Sequence, residues 1–381
     1  MGTRRREKTD KDREPRVVIS GYFGFNNAGD EAILTSMVGS LRRFVPRIQL
    51  TVISGNPALT AAQHQVKAVD RTDFPGIIRA LRQADLLLSG GGSILQDVTS
   101  SRSLFYYLGI VVLAKLCGTR VMFFGQGVGP IRRPINRILT AFIANRVDLI
   151  TVREAGSLET LQELGVAKPP IHVTADQVFC LEPAPADRAE AILAREGVDL
   201  DRPLVGISLR RWRDYQGYKE AVAQAADWLA EVCGAQIVFL PLQSPVDIPV
   251  AREVAALMKE PAVILEGDYS AQEFLAVTGR MDLIIGMRLH ALIFAAVQGV
   301  PMVGIIYDPK VEDFLQLVEQ PAAGGVADLT YASLKNCVQS AWQERKERGK
   351  ILREKGWELV ERAQENSRLV AQLLGEVKGG G

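Results

Sequence analysis

Short, almost wholly apolar runs alternate along this chain with longer stretches that are apolar on one face only. In the first half the apolar runs are 17–20, 50–53, 85–89, 120–124 and 149–152. Between them, 30–44, 75–82, 104–117, 134–145 and 156–164 have helical periodicity. A strand that is apolar on both faces needs cover on both, and a helix after each strand supplies it. The pattern therefore predicts a parallel sheet between two helical layers. The alternation stops at Leu181-Glu182-Pro183-Ala184-Pro185-Ala186, where two prolines and little apolar content predict a linker. It restarts with strands at 204–208, 236–240, 263–265, 283–285 and 302–306 and helices at 218–231, 246–259, 271–278, 289–298 and 311–317. Beyond residue 333 a stripe through Trp342, Leu352, Trp357, Val360, Leu369, Val370 and Leu373 predicts a helix pair, with Gly349 and Gly356 as breaks. The expected division is a charged tail over 1–15, an N-terminal α/β domain over 16–180, a linker over 181–187, a C-terminal α/β domain over 188–332 and helices over 333–377.

Composition agrees with two folded domains. At 381 residues the chain is too long for one typical domain, and 47% hydrophobic with 23% charged residues excludes a disordered chain. Lys+Arg is 45 against Asp+Glu 44, a net charge of +1, which argues against a nucleic-acid partner held by bulk charge. Cys117, Cys180, Cys233 and Cys337 lie far apart, so neither a zinc ribbon nor a disulfide framework follows, and a reducing, cytoplasmic setting is expected. The longest apolar run, 104–114, falls short of the roughly 20 residues a membrane span needs. The charged N-terminus lacks the apolar core of a signal peptide. Arg345, Lys346, Arg348, Lys350, Arg353 and Lys355 are interleaved with Glu344, Glu347 and Glu354, which favours a solvated helix face over contact with anionic lipid.

Ligands of open α/β sheets bind beyond the carboxyl ends of the strands, so the segments after the strands carry the candidate chemistry. After the first strand, Gly21-Tyr22-Phe23-Gly24-Phe25-Asn26-Asn27-Ala28-Gly29-Asp30-Glu31 opens a helix. Acidic residues stand where a phosphate-binding loop has Lys-Ser/Thr, so Asn26, Asn27, Asp30 and Glu31 suit sugar hydroxyls better than phosphate. Two further glycine-rich loops are expected on the same edge, Ser89-Gly90-Gly91-Gly92-Ser93 and Gly125-Gln126-Gly127-Val128-Gly129-Pro130, with Arg153 after the next strand. The second domain offers Arg210 and Arg211, then Arg288 and His290 at a helix start, then Lys310. Cations beside a helix N-terminus suit a small, multiply charged anion. With three histidines and no ligand-spaced cluster, no metal centre is expected.

Two doubly wound domains facing each other across a cleft look like the GT-B architecture. Gly21-Tyr22-Phe23-Gly24, Asn27-Ala28-Gly29-Asp30-Glu31, Ser89-Gly90-Gly91-Gly92, Gly125-Gln126-Gly127-Val128-Gly129-Pro130, Gly286-Met287-Arg288-Leu289-His290 and Tyr307-Asp308-Pro309-Lys310 together resemble the polysaccharide pyruvyl transferase family. The resemblance runs from about Arg16 past Phe314 and is closest to the CsaB type of bacterial cell-wall synthesis. It implies transfer of the enolpyruvyl-derived group of phosphoenolpyruvate, a co-substrate, onto a sugar as a 4,6-linked ketal. It implies no cofactor. The implied acceptor is N-acetylmannosamine in a lipid-linked precursor of the secondary cell-wall polymer, met at the inner face of the cell membrane by a peripheral contact. The product would anchor S-layer proteins.

On this reading His290, with Asp30 or Glu31, does the acid–base work, and Arg210, Arg211, Arg288 and Lys310 bind the donor. Asn26, Asn27, Gly91, Gln126 and Arg153 hold the acceptor. The N-terminal domain then serves the acceptor and the C-terminal domain the donor. The alternatives are a GT-B glycosyltransferase with a nucleotide-sugar donor, for which Glu266 would meet the ribose, and a non-catalytic glycan-binding protein, which would need no cation cluster.

Overall fold

Two parallel sheets form the molecule, in a computed structural model that describes residues 13–98, 101–213 and 215–375. Most of the expected N-terminal tail and the closing Gly379-Gly380-Gly381 lie outside the described residues. The first sheet contains β1 (Arg16–Ser20), β2 (Gln49–Ser54), β3 (Lys67–Asp70), β4 (Leu86–Leu95), β5 (Arg120–Val128), β6 (Leu149–Val152) and β7 (Ile171–Val173), in the order 3-2-1-4-5-6-7. The second contains β8 (Leu204–Ser208), β9 (Gln236–Phe239), β10 (Ala262–Ile264), β11 (Leu283–Gly286), β12 (Met302–Ile306) and β13 (Ala322–Gly325), in the order 10-9-8-11-12-13. Both are doubly wound: the order reverses between β1 and β4 and again between β8 and β11. These are the points where such sheets open a crevice for ligands.

The helices of the first half are α1 (Ala28–Phe44), α2 (Pro57–His64), α3 (Phe74–Gln83), α4 (Ser101–Leu116), α5 (Pro134–Ala144) and α6 (Ala155–Glu163). Those of the second are α7 (Ala186–Arg195), α8 (Gly217–Cys233), α9 (Ile248–Ala255), α10 (Ala271–Thr278), α11 (Leu289–Gln298), α12 (Pro309–Leu317), α13 (Tyr331–Gln343) and α14 (Arg345–Leu374). Central strands are apolar because both faces are covered. Leu86, Leu87 and Leu88 of β4 are all fully buried, alternating between the cores on the two sides of the sheet. No helix among the described residues is long and apolar enough to cross a membrane.

Three differences from the sequence expectation bear on the site. The two expected glycine loops are strand: β4 continues through Gly90, Gly91 and Gly92, and β5 through Gly125, Gln126 and Gly127. The first three have φ of 142°, 76° and 101°, open to glycine alone, and the pairing register shifts just beyond them. The edge strands β3, β7 and β13 escaped the apolar-run criterion because they are short and largely uncovered. Finally, α14 runs unbroken through Gly349 and Gly356. A side chain at Gly349 would come within 3.0 Å of the Gly299 carbonyl oxygen, so glycine there lets α14 lie close to the end of α11.

The last two helices do not form a self-contained pair. α13 covers the second sheet, packed on α8 and β13, whereas α14 returns to the first. There Asn366 accepts from the Thr174 hydroxyl at 2.9 Å and donates to the Ala175 carbonyl at 3.2 Å. A second junction lies at the site itself. Asn27 and Gln243 form an isolated antiparallel bridge, and the Ala28 N–H donates to the Leu242 carbonyl at 2.8 Å.

Candidate active site

Between the carboxyl edges of the two sheets lies a cavity of about 330 Å³. The first half lines it with Tyr22, Asn27, Asp30, Ser93 and Arg153, the second with Arg210, Gln243, Arg288, His290, Tyr307 and Lys310. Local folding places each group. Asn27 is extended, caps α1 by accepting from the Gly29 N–H at 3.1 Å, and so brings Asp30 into the first helical turn. Arg288 is the residue before α11, which puts His290 in that helix's first turn. A Cβ on Gly29 would sit 2.2 Å from Nδ1 of His290, so only glycine lets α1 approach the imidazole this closely.

The four cations differ in how they are held. Nε and Nη2 of Arg288 bond Asp247 at 2.9 and 2.5 Å, and Nη2 also bonds Gln243 at 2.9 Å. The fork expected to grip a donor is therefore already taken up by a buried carboxylate. Arg153 is clamped by Glu154 and Asp176, each at 2.8 Å, and donates to Ser93 at 2.7 Å. Burial alone would lower its pKa, but the two carboxylates hold it above the ordinary arginine value. Arg210 instead lies over the Tyr307 ring, 4.9 Å from the centroid, and its buried Nε has no hydrogen-bond partner. Lys310 pairs loosely with Asp308, at 3.8 Å, and its Nζ lies 5.8 Å from the Tyr307 ring centroid.

Two titratable groups in the cavity are strongly displaced. Asp30 keeps part of its surface open to the cavity but is crowded on every other side. Burial, with some help from Glu31, pushes its carboxyl up to about 7, against the pull of Arg288, Lys310 and Arg153. His290 is pushed down to about 4, first by burial and further by Arg153, Lys310 and Arg288, with Asp176 opposing. Its Nε2 stands 3.8 Å from Asp176 and has no hydrogen-bond partner. At neutral pH the imidazole is neutral, while the carboxyl is close to half protonated. An imidazole titrating near neutrality is what the sequence leads one to expect; in the fold the carboxyl is raised to about 7 instead.

Several expected site residues lie elsewhere. Arg211 is exposed and paired with Glu253, so of the two adjacent arginines only Arg210 faces the cavity. Glu31 turns away from Asp30. It accepts from the Gly24 N–H at 2.7 Å, approaches His64 and, with Asn26, lines a separate cavity of about 230 Å³ on the far side of the Asn27–Gln243 bridge. Successive residues at a helix start point about 100° apart, which separates Asp30 from Glu31. Gly91 packs on Ile33, and Gln126 is buried, donating to the carbonyls of Gly92 and Gly127 at 2.9 Å each. Both shape the cavity wall from behind without lining it.

The cavity also contains residues that the sequence argument missed. Asp176 and Asp247 carry no local signal, Asp247 falling inside the segment read as helix 246–259, and their value comes from arginines 23 and 41 residues away. Tyr307 was seen only as part of a motif, although its place after β12 marked it as an edge residue.

Comparison with known proteins agrees with this architecture. The Staphylococcus aureus protein MnaA, solved with UDP, superposes with a TM-score of 0.68 at 11% identity, covering 96% of this chain and 99% of that one. The UDP-GlcNAc 2-epimerase of Methanocaldococcus jannaschii gives 0.66 at 12% identity over 95% and 100%. Anabaena HepE, solved with UDP-glucose, gives 0.65 at 12% identity over 95% and 100%. At these identities the likeness is one of fold, the GT-B-like pair of α/β units. By sequence, the amylovoran biosynthesis protein AmsJ of Erwinia amylovora is 23% identical over 296 residues, which are 71% of this chain and 66% of that protein. The chain thus spans just under two thirds of that relative's length. The family model for polysaccharide pyruvyl transferase matches residues 27–309, from the cap of α1 to the start of α12, and so takes in both edges of the cavity: the chain belongs to the polysaccharide pyruvyl transferase family.

Proposed function

We propose that this cavity forms a pyruvate ketal on a glycan, with phosphoenolpyruvate as donor and no cofactor. The observation that carries the proposal is the convergence, in one cation-lined cavity, of the Asp30 carboxyl, which burial raises, and the His290 imidazole, which burial holds neutral. The donor's phosphate and carboxylate need several cations, and Arg210 and Lys310 have no buried carboxylate to satisfy them. Protonated Asp30 delivers a proton to C3 of the enolpyruvyl group, turning the methylene into a methyl and leaving oxocarbenium character at C2. Neutral His290 takes the proton of the attacking sugar hydroxyl as the first C2–O bond forms. The C2–O bond to phosphate breaks, with the arginines and Lys310 stabilising the departing charge, and the second hydroxyl closes the ring. Of the two hydroxyl protons released, one balances the new methyl hydrogen and the other leaves on phosphate.

The acceptor we propose is N-acetylmannosamine of a lipid-linked cell-wall precursor, pyruvylated at O4 and O6 on the cytoplasmic side of the membrane, for S-layer anchoring. The test is incubation of the chain with phosphoenolpyruvate and lipid-linked disaccharides that do or do not contain N-acetylmannosamine, followed by mass spectrometry and phosphate release. One phosphate per ketal, on the N-acetylmannosamine-containing acceptor alone, is expected. Transfer of a sugar from a UDP-sugar, with no use of phosphoenolpyruvate, would overturn the proposal. The ribose partner considered for that alternative, Glu266, is paired with Arg252 at 2.8 and 2.6 Å and does not line the cavity.

A further inference from the structure

The largest group of uncovered apolar side chains lies on two neighbouring helices of the first half. Phe105, Val112 and Leu116 project from α4, and Ile135, Ile138 and Phe142 from α5. Four of them are more than half exposed: Leu116 at 79%, Ile138 at 66%, Ile135 at 62% and Phe142 at 56%. The spacing on α5, i, i+3 and i+7, gives one continuous stripe, and α4 packs alongside it. A patch of this kind on a folded chain marks a surface that something covers.

Charge identifies the partner. From Ser101 to Val147 the chain carries Arg102, Lys115, Arg120, Arg132, Arg133, Arg137 and Arg146 and no Asp or Glu, in a protein whose net charge is +1. Arg132 and Arg133, at the entry to α5, and Arg146, just beyond its end, are exposed. The Arg146 guanidinium lies over the Phe142 ring, 3.4 Å from its centroid, which places a cation directly against the apolar stripe. Lys115 is paired with Asp148 at 2.9 Å, but Arg132, Arg133 and Arg146 stand exposed at the two ends of α5, and an apolar stripe with this excess of cations at its rim fits the headgroup region of an anionic bilayer. The same charge disfavours a second copy of the chain, which would bring like-charged rims together. On α14 the basic residues are interleaved with acidic ones, and Arg348 bonds Glu344 at 2.6 Å and Lys355 bonds Glu319 at 2.9 Å.

We propose that the outer face of α4 and α5 seats this protein on an anionic membrane surface. The seat is coupled to the cavity through α4 itself, whose Ser103 and Tyr107 line the cavity while Phe105, Val112 and Leu116 face outward. Docking by this face therefore brings the cavity close to the bilayer.

Vesicle flotation of the full chain tests this without any substrate, so its outcome is separate from that of the ketal proposal. Vesicles of phosphatidylcholine with about 30 mol% phosphatidylglycerol should bind the protein at low salt, and pure phosphatidylcholine should bind it far less. The double variant Ile138→Ser/Phe142→Ser should lose about tenfold or more in partitioning, and so should Arg132→Gln/Arg133→Gln, each with wild-type thermal unfolding. No binding to the anionic vesicles would overturn the proposal. So would equal binding by the variants, or a dimer in sedimentation that the apolar double variant dissolves while vesicle binding stays absent.

Discussion

The two sheet edges bring unlike chemistry to one cavity. The second half contributes Arg210, Arg288, His290 and Lys310; the first contributes Asp30, Asn27, Ser93 and Arg153. A division into acceptor domain and donor domain does not follow from this. Each half supplies one proton-transfer candidate and one arginine clamped by buried carboxylate, Arg153 by Asp176 and Arg288 by Asp247. The clamped pair is already neutralised and held in place by its carboxylates, while Arg210 and Lys310 remain to meet a ligand. Burial explains the two displaced pKa values, and the cations modulate them. Burial raises Asp30 and lowers His290, and the same three cations oppose the first shift and reinforce the second. Neither half forms the site alone.

The sharpest way to break this comparison is at His290. Its replacement by Gln should lower turnover by about two to four orders of magnitude, with phosphoenolpyruvate affinity by calorimetry near that of the parent. Near-parental turnover would move the base to another group. Asp30→Asn should come next, lowering turnover about 100-fold with donor binding retained. Loss of donor binding instead would make Asp30 a ligand of the donor rather than its acid.

The arginine pair follows. Arg210→Ala should weaken donor binding about 10- to 100-fold, the worth of a charge-assisted hydrogen bond, while Arg211→Ala should leave it within about twofold. Equal losses in titrations of the two variants would contradict the geometry. The smallest effect concerns stability. The raised pKa of Asp30 means that the folded protein keeps a proton that the unfolded chain gives up between about pH 4 and 7. The Asp30 contribution to stability should therefore fall across that window and level off above it, while His290, with its lowered pKa, contributes in the opposite sense below about pH 6.5, so the comparison with Asp30→Asn isolates the carboxyl. Asn does not titrate, so Asp30→Asn should gain at least about 1 kcal/mol relative to the parent at pH 8, each unit of the shift being worth about 1.4 kcal/mol, and the gain should vanish near pH 4 in denaturant titrations.

Much of this was legible in the residue order. Ten apolar runs marked ten of the thirteen strands, and the segments after 17–20, 204–208 and 283–285 led directly to Asp30, Arg210 and His290. Those signals are local, set by periodicity and by position at a strand end. What escaped is pairwise and distant. Arg210 and Arg211 are alike in sequence, and only the place of Glu253 on α9 separates them. Arg288 read as a free fork because Asp247 lies 41 residues earlier. The protonation state of His290 depends on burial between α1 and α11, a contact that no local pattern encodes. The glycines of β4 were read as a loop because positive φ suggests turns, whereas here it lets a strand bend beneath α1.

The most direct test of the shared-site account is the pH dependence of kcat/KM for the parent and for Asp30→Asn. His290 must be neutral to accept a proton and Asp30 protonated to give one. The parent should therefore rise through about pH 4 and fall through about pH 7. Asp30→Asn should keep the acid limb on a much slower reaction and lose the alkaline one. An alkaline limb that persists unchanged in Asp30→Asn, or a parent activity that climbs steadily from pH 6 to pH 9, would contradict the account.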